Sequence, residues 1–264
     1  MQVRTAALPA ATDGDRALIY ANGVVVLDGA TSHDPAVPPA SEYVNVLGVE
    51  LSARLGTSTG PVNALSEAIG ATTAELDLEP GASPSSTVAM VHVEGETATV
   101  ALLGDSTVVV VGMVDGTFTV ETDDRLNQLH IPEAAEYRNR LAGGSGYDQT
   151  HRDLLRELQR QQRERRNISG GYWIAEAVPD AARHAPVLSY DRDRIDWLIL
   201  ATDGARDTLE ALGVHGPRSP HCPPTACETC SNAATPGKPT TIATAGRWPR
   251  SKRHDDKTLA VVHL

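Results

Sequence analysis

Val24-Val25-Val26-Leu27-Asp28-Gly29 decides how this chain reads. Three β-branched residues and a leucine form a short, unbroken apolar run, the mark of a strand buried on both faces. The run ends in a carboxylate, at the point where side chains leave a core and meet a ligand. Gly29 follows at once; without a Cβ, its backbone can approach a ligand closely and offer its carbonyl oxygen.

The motif returns along the chain. Leu198-Ile199-Leu200-Ala201-Thr202-Asp203-Gly204 repeats it almost in full, and Val100-Ala101-Leu102-Leu103-Gly104-Asp105 is a related version. Asp255-Asp256 stands just before the apolar run Leu259-Ala260-Val261-Val262. A single Asp-Gly is common in turns and carries little weight. Aspartates placed repeatedly at strand ends point instead to one acidic site assembled from distant segments. Carboxylate oxygens are the ligands that hard divalent cations such as Mg²⁺ and Mn²⁺ prefer.

The bulk properties agree with a cation-collecting protein. The 264 residues carry a formal net charge of -11, which argues against nonspecific binding to nucleic acid or an anionic membrane. The length suits one domain over 1–264 with a sizeable core. With a single Phe, that core must be built from Val, Leu, Ile and Ala. No run approaches the roughly 20 apolar residues of a membrane span. Met1-Gln2-Val3-Arg4 does not open a secretion signal, and three cysteines make no disulfide framework. A cytoplasmic monomer is the expectation.

Around the opening stretch, Ala21-Asn22-Gly23 predicts a tight turn pairing Leu18-Ile19-Tyr20 with the Val24 strand. Val3 to Leu8 predicts a first edge strand. Val44, Leu47, Leu51 and Leu55, then Val62, Leu65, Ile69 and Leu76, fall at helical spacing and predict a pair of amphipathic helices. Runs from Thr87 to Val93, Thr97 to Gly104, Ser106 to Val114 and Thr117 to Glu121 predict a four-strand meander. Two further helices are predicted, over Glu133 to Leu141 and His151 to Arg166. The second holds six arginines and three acids, which suits either a solvated face or a docking face. Gly170 to Ile174 predicts a turn into a short strand, and Pro179 to His184 a brief helix. Strands over Ile195 to Thr202 and Thr258 to His263 complete the reading. Paired helices among antiparallel strands make the fold class α+β.

One segment, 213–246, is rich in Pro, Thr, Ala and Cys and carries one acid, Glu228. It predicts an irregular or disordered loop in place of a helix covering the sheet, and a frameshifted origin is a second explanation. His221, Cys222, Cys227 and Cys230 lie within it, but a structural zinc site needs two such knuckles.

The ordered set of motifs resembles the metal-dependent, PPM-type (type 2C) Ser/Thr protein phosphatases. The matching pieces are Asp15 before a strand, Val-Leu-Asp28-Gly29, Ser86-Thr87-Val88-Ala89, Leu103-Gly104-Asp105-Ser106, Ala201-Thr202-Asp203-Gly204 with Asp207, and Asp255-Asp256-Lys257-Thr258. The resemblance implies a central antiparallel β-sandwich flanked by pairs of helices. It implies hydrolysis of phosphoserine and phosphothreonine in phosphorylated proteins by attack of a water bridging two Mn²⁺ or Mg²⁺ ions. Asp28 would bridge the ions, the Gly29 carbonyl would bind one, and Asp203 and Asp255 the other. Asp15 would hold a bound water. Asp105 and Asp207, with Asp203, would form a third, weaker metal site.

Three positions depart from the family pattern. Gly14 stands where a Glu usually precedes Asp15, and Ala30 where a general-acid histidine often follows Asp-Gly; His33 is the nearest substitute. Ala7 to Asp15 contains no phosphate-binding Arg, leaving Arg4 or Arg16 as candidates. These losses favour a rival reading, a catalytically impaired phosphatase-like module that binds a partner. A phosphatase for small phosphoesters is a third.

Overall fold

The computed structural model describes residues 1–10, 13–31, 37–56, 60–113, 117–211 and 255–264. Ten strands form two five-stranded sheets in which every pairing is antiparallel. The first sheet runs β2 (Asp15–Tyr20), β3 (Gly23–Gly29), β4 (Ser86–Glu94), β5 (Thr97–Leu103) and β8 (Val187–Asp191). The second runs β1 (Gln2–Leu8), β10 (Lys257–His263), β9 (Ile195–Ala201), β6 (Thr107–Gly112) and β7 (Phe118–Thr122). The helices are α1 (Ala40–Arg54), α2 (Pro61–Glu75), α3 (Arg125–Gln128), α4 (Pro132–Ala142), α5 (Gln149–Glu164) and α6 (Asp203–Ala211).

The apolar run of β3 is explained by what covers it. Val24 and Val26 face the second sheet and pack with Val108, Leu198, Leu200 and Val262 in the sandwich interior. Val25 and Leu27 face the other way, into a cluster with Tyr43, Leu47 and Leu51 of α1 and Leu65 and Ile69 of α2. Alternate side chains of a strand point to opposite faces, so a strand covered on both sides must be apolar at every position. The helical spacing read from sequence is the other half of that contact. At the end of the same sandwich, α6 lies on the second sheet, with Ala205 against Ala201 and Leu259. The result is the mixed α+β sandwich expected.

Two expectations about strands are corrected. The predicted four-strand meander breaks after its second strand: β5 pairs with β8, whereas β6 pairs with β9 in the opposite sheet. Gly104-Asp105-Ser106 is thus a crossing between sheets. Gly104 adopts a left-handed φ of 82°, and a Cβ there would lie 2.9 Å from Thr87 Cγ2, so only glycine serves. Gly170 to Ile174 does not form a strand. Tyr172 and Ala175 make isolated bridges to Arg166 and Ser86, with bends on either side at Gly171 and Glu176. Strand β8 was not expected, because its alternation of exposed and half-buried residues at a sheet edge gives little apolar signal.

Helices α4 and α5 pack on each other through Ile131, Tyr137, Leu141, Leu155 and Leu158, apart from the main core. The Asp148 side chain caps α5 by accepting from the His151 backbone N–H at 2.9 Å. On its solvated face, Arg156 pairs with Asp153 and Arg160 with Glu157 and Glu164. Among the described residues no helix is long and apolar enough to cross a membrane. The segment 213–246, with its cysteines, and residues 247–254 after it lie outside the described residues.

The fold makes Leu47, fully buried between α1 and the first sheet, a sensitive position. Leu47→Ala is expected to destabilise the protein by about 2–5 kcal/mol, read from the midpoint of urea unfolding.

Candidate metal centre

The hairpin of β2 and β3 sets Asp15 directly opposite Asp28, so both carboxylates project from the same face at one end of the first sheet. The second sheet delivers its acids to the same end. Asp203 opens α6 immediately after β9, and Asp255 lies two residues before β10. Thr202 and Thr258 lock that junction, with the Thr202 N–H donating to the Thr258 carbonyl at 3.1 Å and the Thr258 N–H to the Thr202 hydroxyl at 3.1 Å.

Close backbone approach makes the convergence possible. The Gly29 N–H donates to the Gly14 carbonyl at 3.0 Å, and a Cβ on Gly29 would lie 2.8 Å from that oxygen. A Cβ on Gly204 would lie 2.1 Å from the Asp256 carbonyl oxygen. Asp256 itself is buried and accepts from the backbone N–H groups of Gly14, at 2.9 Å, and Ala10. It ties the turn before Asp15 to the residue beside Asp255, a positioning role its sequence neighbourhood did not signal.

The electrostatics are those of acids forced together. Burial pushes the Asp28 carboxyl well above the ordinary range, and Asp203, Asp15 and Asp255 push it further. The Asp203 carboxyl lies within hydrogen-bonding reach of Asp28 and adds to the rise. Burial raises Asp15 to about 6; a hydrogen bond from Thr202 opposes the rise, and Asp256 and Asp255 add to it. Its buried Oδ2 has no hydrogen-bond partner among the described residues. Among those residues no three His, Cys, Asp or Glu side chains form a closed ligand set. The carboxylates stand as mutually repelling neighbours held in reach of one another. An all-oxygen donor set, one orphaned buried oxygen and acids that raise one another together fit a hard divalent cation.

A second corner of the site is built differently. Asp105, at the crossing between sheets, is raised by burial, and Arg206 draws it back down while Asp207 and Asp123 add to the rise. Arg206 Nη2 and Nε donate to Asp207 Oδ1 at 3.0 and 3.2 Å. Asp123 is gripped by Arg125 through Nε at 2.7 Å and Nη2 at 2.5 Å.

Both corners open into a cavity of about 490 Å³. One side carries Asp28, Gly29, Asp105, Asp203, Asp207 and Asp255; the other is built by α4, α5 and the residues just after it, and carries Arg138, Arg163 and Arg166. Arg166 is held at 3.2 Å by the buried Glu176. Arg4 and Arg16 do not line this cavity: Arg16 donates to Asn45 and to Asp13 on the exposed side of the hairpin, and Arg4 is exposed on β1. Ala30 lines the cavity beside Asp28, and His33 lies outside the described residues. Arg206, Asp123 and the α4–α5 wall were missed by sequence reading. Only the arginine-rich composition of α5 hinted that this helix faces something anionic.

Two antiparallel sheets with helices outside and an acidic cleft where both sheets end define the architecture of the PPM Ser/Thr phosphatases. Residues 11–237 match the family model described as protein phosphatase 2C, and the chain belongs to that family. Solved structures agree in fold. The PPM Ser-Thr phosphatase MsPP from Mycobacterium smegmatis, in complex with cacodylate, is 17% identical, with a TM-score of 0.55 over 100% of this chain and 98% of that one. The catalytic domain of the phosphatase PstP, in complex with 2 manganese ions, is 18% identical, with a TM-score of 0.53 over 98% and 96%. Stp1 from Staphylococcus aureus is 12% identical, with a TM-score of 0.53 over 100% and 95%. No curated protein sequence matches the chain.

Two outcomes are expected from this geometry. A carboxyl whose folded pKa is raised binds its proton more tightly folded than unfolded, so its stabilising effect is present at low pH and is lost as pH rises through the folded value. For Asp15 the rise from 3.8 to about 6 amounts to on the order of 3 kcal/mol, and Asp28 acts in the same direction. In chelator, the melting temperature should therefore fall as pH is raised from 4 to 7 on this account, and Asp15→Asn should flatten the fall. Gly204→Ala, whose methyl would collide with backbone, should cost about 2 kcal/mol or more in urea unfolding.

Proposed function

We propose that the chain is a Mn²⁺- or Mg²⁺-dependent protein phosphatase acting on phosphoserine and phosphothreonine. The observation that carries this reading is the meeting of Asp15, Asp28, Asp203 and Asp255, drawn from both sheets, where the charges acting on Asp28 are all acidic. Buried carboxylates in such a group need protons or a cation. Asp28 and the Gly29 carbonyl, with Asp203 and Asp255, would hold two ions. When bound, these would acidify a water and neutralise the charge of the phosphoryl group.

The chain's own residues do the rest. Asp28 and Asp203, whose carboxyls lie close enough to raise Asp28, would face the ions in their charged form. Arg138 and Arg163 on the facing wall suit an anionic substrate, because guanidinium forks match phosphate oxygens. Ile131, Pro132 and Tyr137 close the cavity with apolar surface, which strengthens charge interactions inside it. In this reading the protein is a cytoplasmic monomer whose partner is a phosphorylated protein.

The test is turnover of a phosphothreonine peptide and of p-nitrophenyl phosphate by purified protein. Turnover should require Mn²⁺ or Mg²⁺ and stop in chelator. Residues that merely orient a metal ligand cost 10–100-fold, so Asp28→Ala should lower kcat/KM by about 100-fold or more. Chelator-resistant turnover, or full activity in that variant, would overturn the reading. Ion binding without any turnover would favour the partner-binding module.

A further inference from the structure

The two acidic corners of the cavity are compensated in different ways. Around Asp28, after burial itself, every neighbouring influence is another carboxylate. Around Asp105 every neighbouring acid has an arginine of its own: Asp207 is bonded to Arg206 and Asp123 to Arg125. Arg206 also reaches across to the start of β6, with Nη1 3.5 Å from the Asp105 carbonyl oxygen and 3.4 Å from Thr107 Oγ1. Its guanidinium is therefore bonded to one of the two carboxylates that a third ion would need and lies beside the backbone of the other. Thr107 pairs with Ala201 on β9, so the strand register that places Asp203 also fixes the far end of this bridge.

We infer that Arg206 is the resident cation of the Asp105–Asp207 corner, and that this corner takes no third divalent ion; the inference rests on the two-ion reading of the Asp28 corner. The reason is geometric and electrostatic. Asp207 Oδ1 already accepts two guanidinium N–H groups, and an ion entering there would have to displace them. A dication would also sit against a fixed positive charge at short range. Although burial opposes the charged guanidinium, Asp207, Asp105 and Asp203 all hold it in that form. Arginine cannot escape by deprotonating, as a lysine can.

The experiment counts Mn²⁺ ions bound to the whole chain, by titration with the free ion followed by electron paramagnetic resonance. The wild-type count tests the phosphatase reading: two ions support it and none opposes it. The change on substitution tests this inference. Arg206→Gln and Arg206→Ser should each bind one ion more than the wild type, while Arg206→Lys, which keeps a cation, should bind the same number. Asp207→Asn in the otherwise native chain should leave the count unchanged and stands in should the neutral variants fail to fold by circular dichroism. A wild type that binds three ions, neutral variants that fold without gaining one, or an ion lost in Asp207→Asn would each overturn it.

Discussion

The whole architecture answers to one unfavourable contact between two half-buried acids, Asp28 and Asp203. One carboxylate ends a strand of the first sheet and the other opens the helix that follows a strand of the second, so neither sheet alone contains the pair. Isolated, such a contact would separate the sheets. It persists because the apolar residues behind it are interlocked: Val24 and Val26 in the sandwich, Val25 and Leu27 beneath the helices. Hydrophobic burial of this extent can hold a repulsive cluster together. Repulsion kept in place by packing is a common origin of shifted carboxyl groups in functional clefts.

Glycine determines how near the backbones can come. At Gly29 and Gly204 a methyl group would overlap a carbonyl oxygen of a neighbouring segment. Gly14 is nearly as crowded, since its Cβ would lie 3.3 Å from the Gly29 oxygen and 3.5 Å from Asp256 Oδ2. Asp256 then occupies the space with its own carboxylate, bonded to the Gly14 N–H, and supports the turn from the opposite side.

Much of this was readable from the chain because it is local. A run such as Val24–Leu27 can only be covered on both faces, and leucines at helical spacing announce the covering layer. Asp28-Gly29 and Asp203-Gly204 carried the same signal at both strand ends. What escaped was non-local. Nothing near Gly104 tells that β5 and β6 part company there, because that depends on β8 and β9 arriving later to claim their edges. The wall built by α4 and α5 follows from a satellite cluster that packs apart from the main core. Arg206 reads as one more surface charge on a helix until Asp105 is seen one strand away. Asp256 gave no sign in the sequence of its bracing bonds to Gly14 and Ala10.

The two-sided burial of β3 also gives the centre unequal stiffness. Asp28 rides on a strand clamped by a sheet in front and helices behind, so its position is as fixed as anything in the molecule. Asp203 opens a helix and Asp255 lies just before β10, both half-buried at the edge of the cavity. An arriving cation would find a stationary post and two adjustable arms, and would tighten the arms onto the post. Discrimination between ions of different radius would then be set by how far those arms can travel.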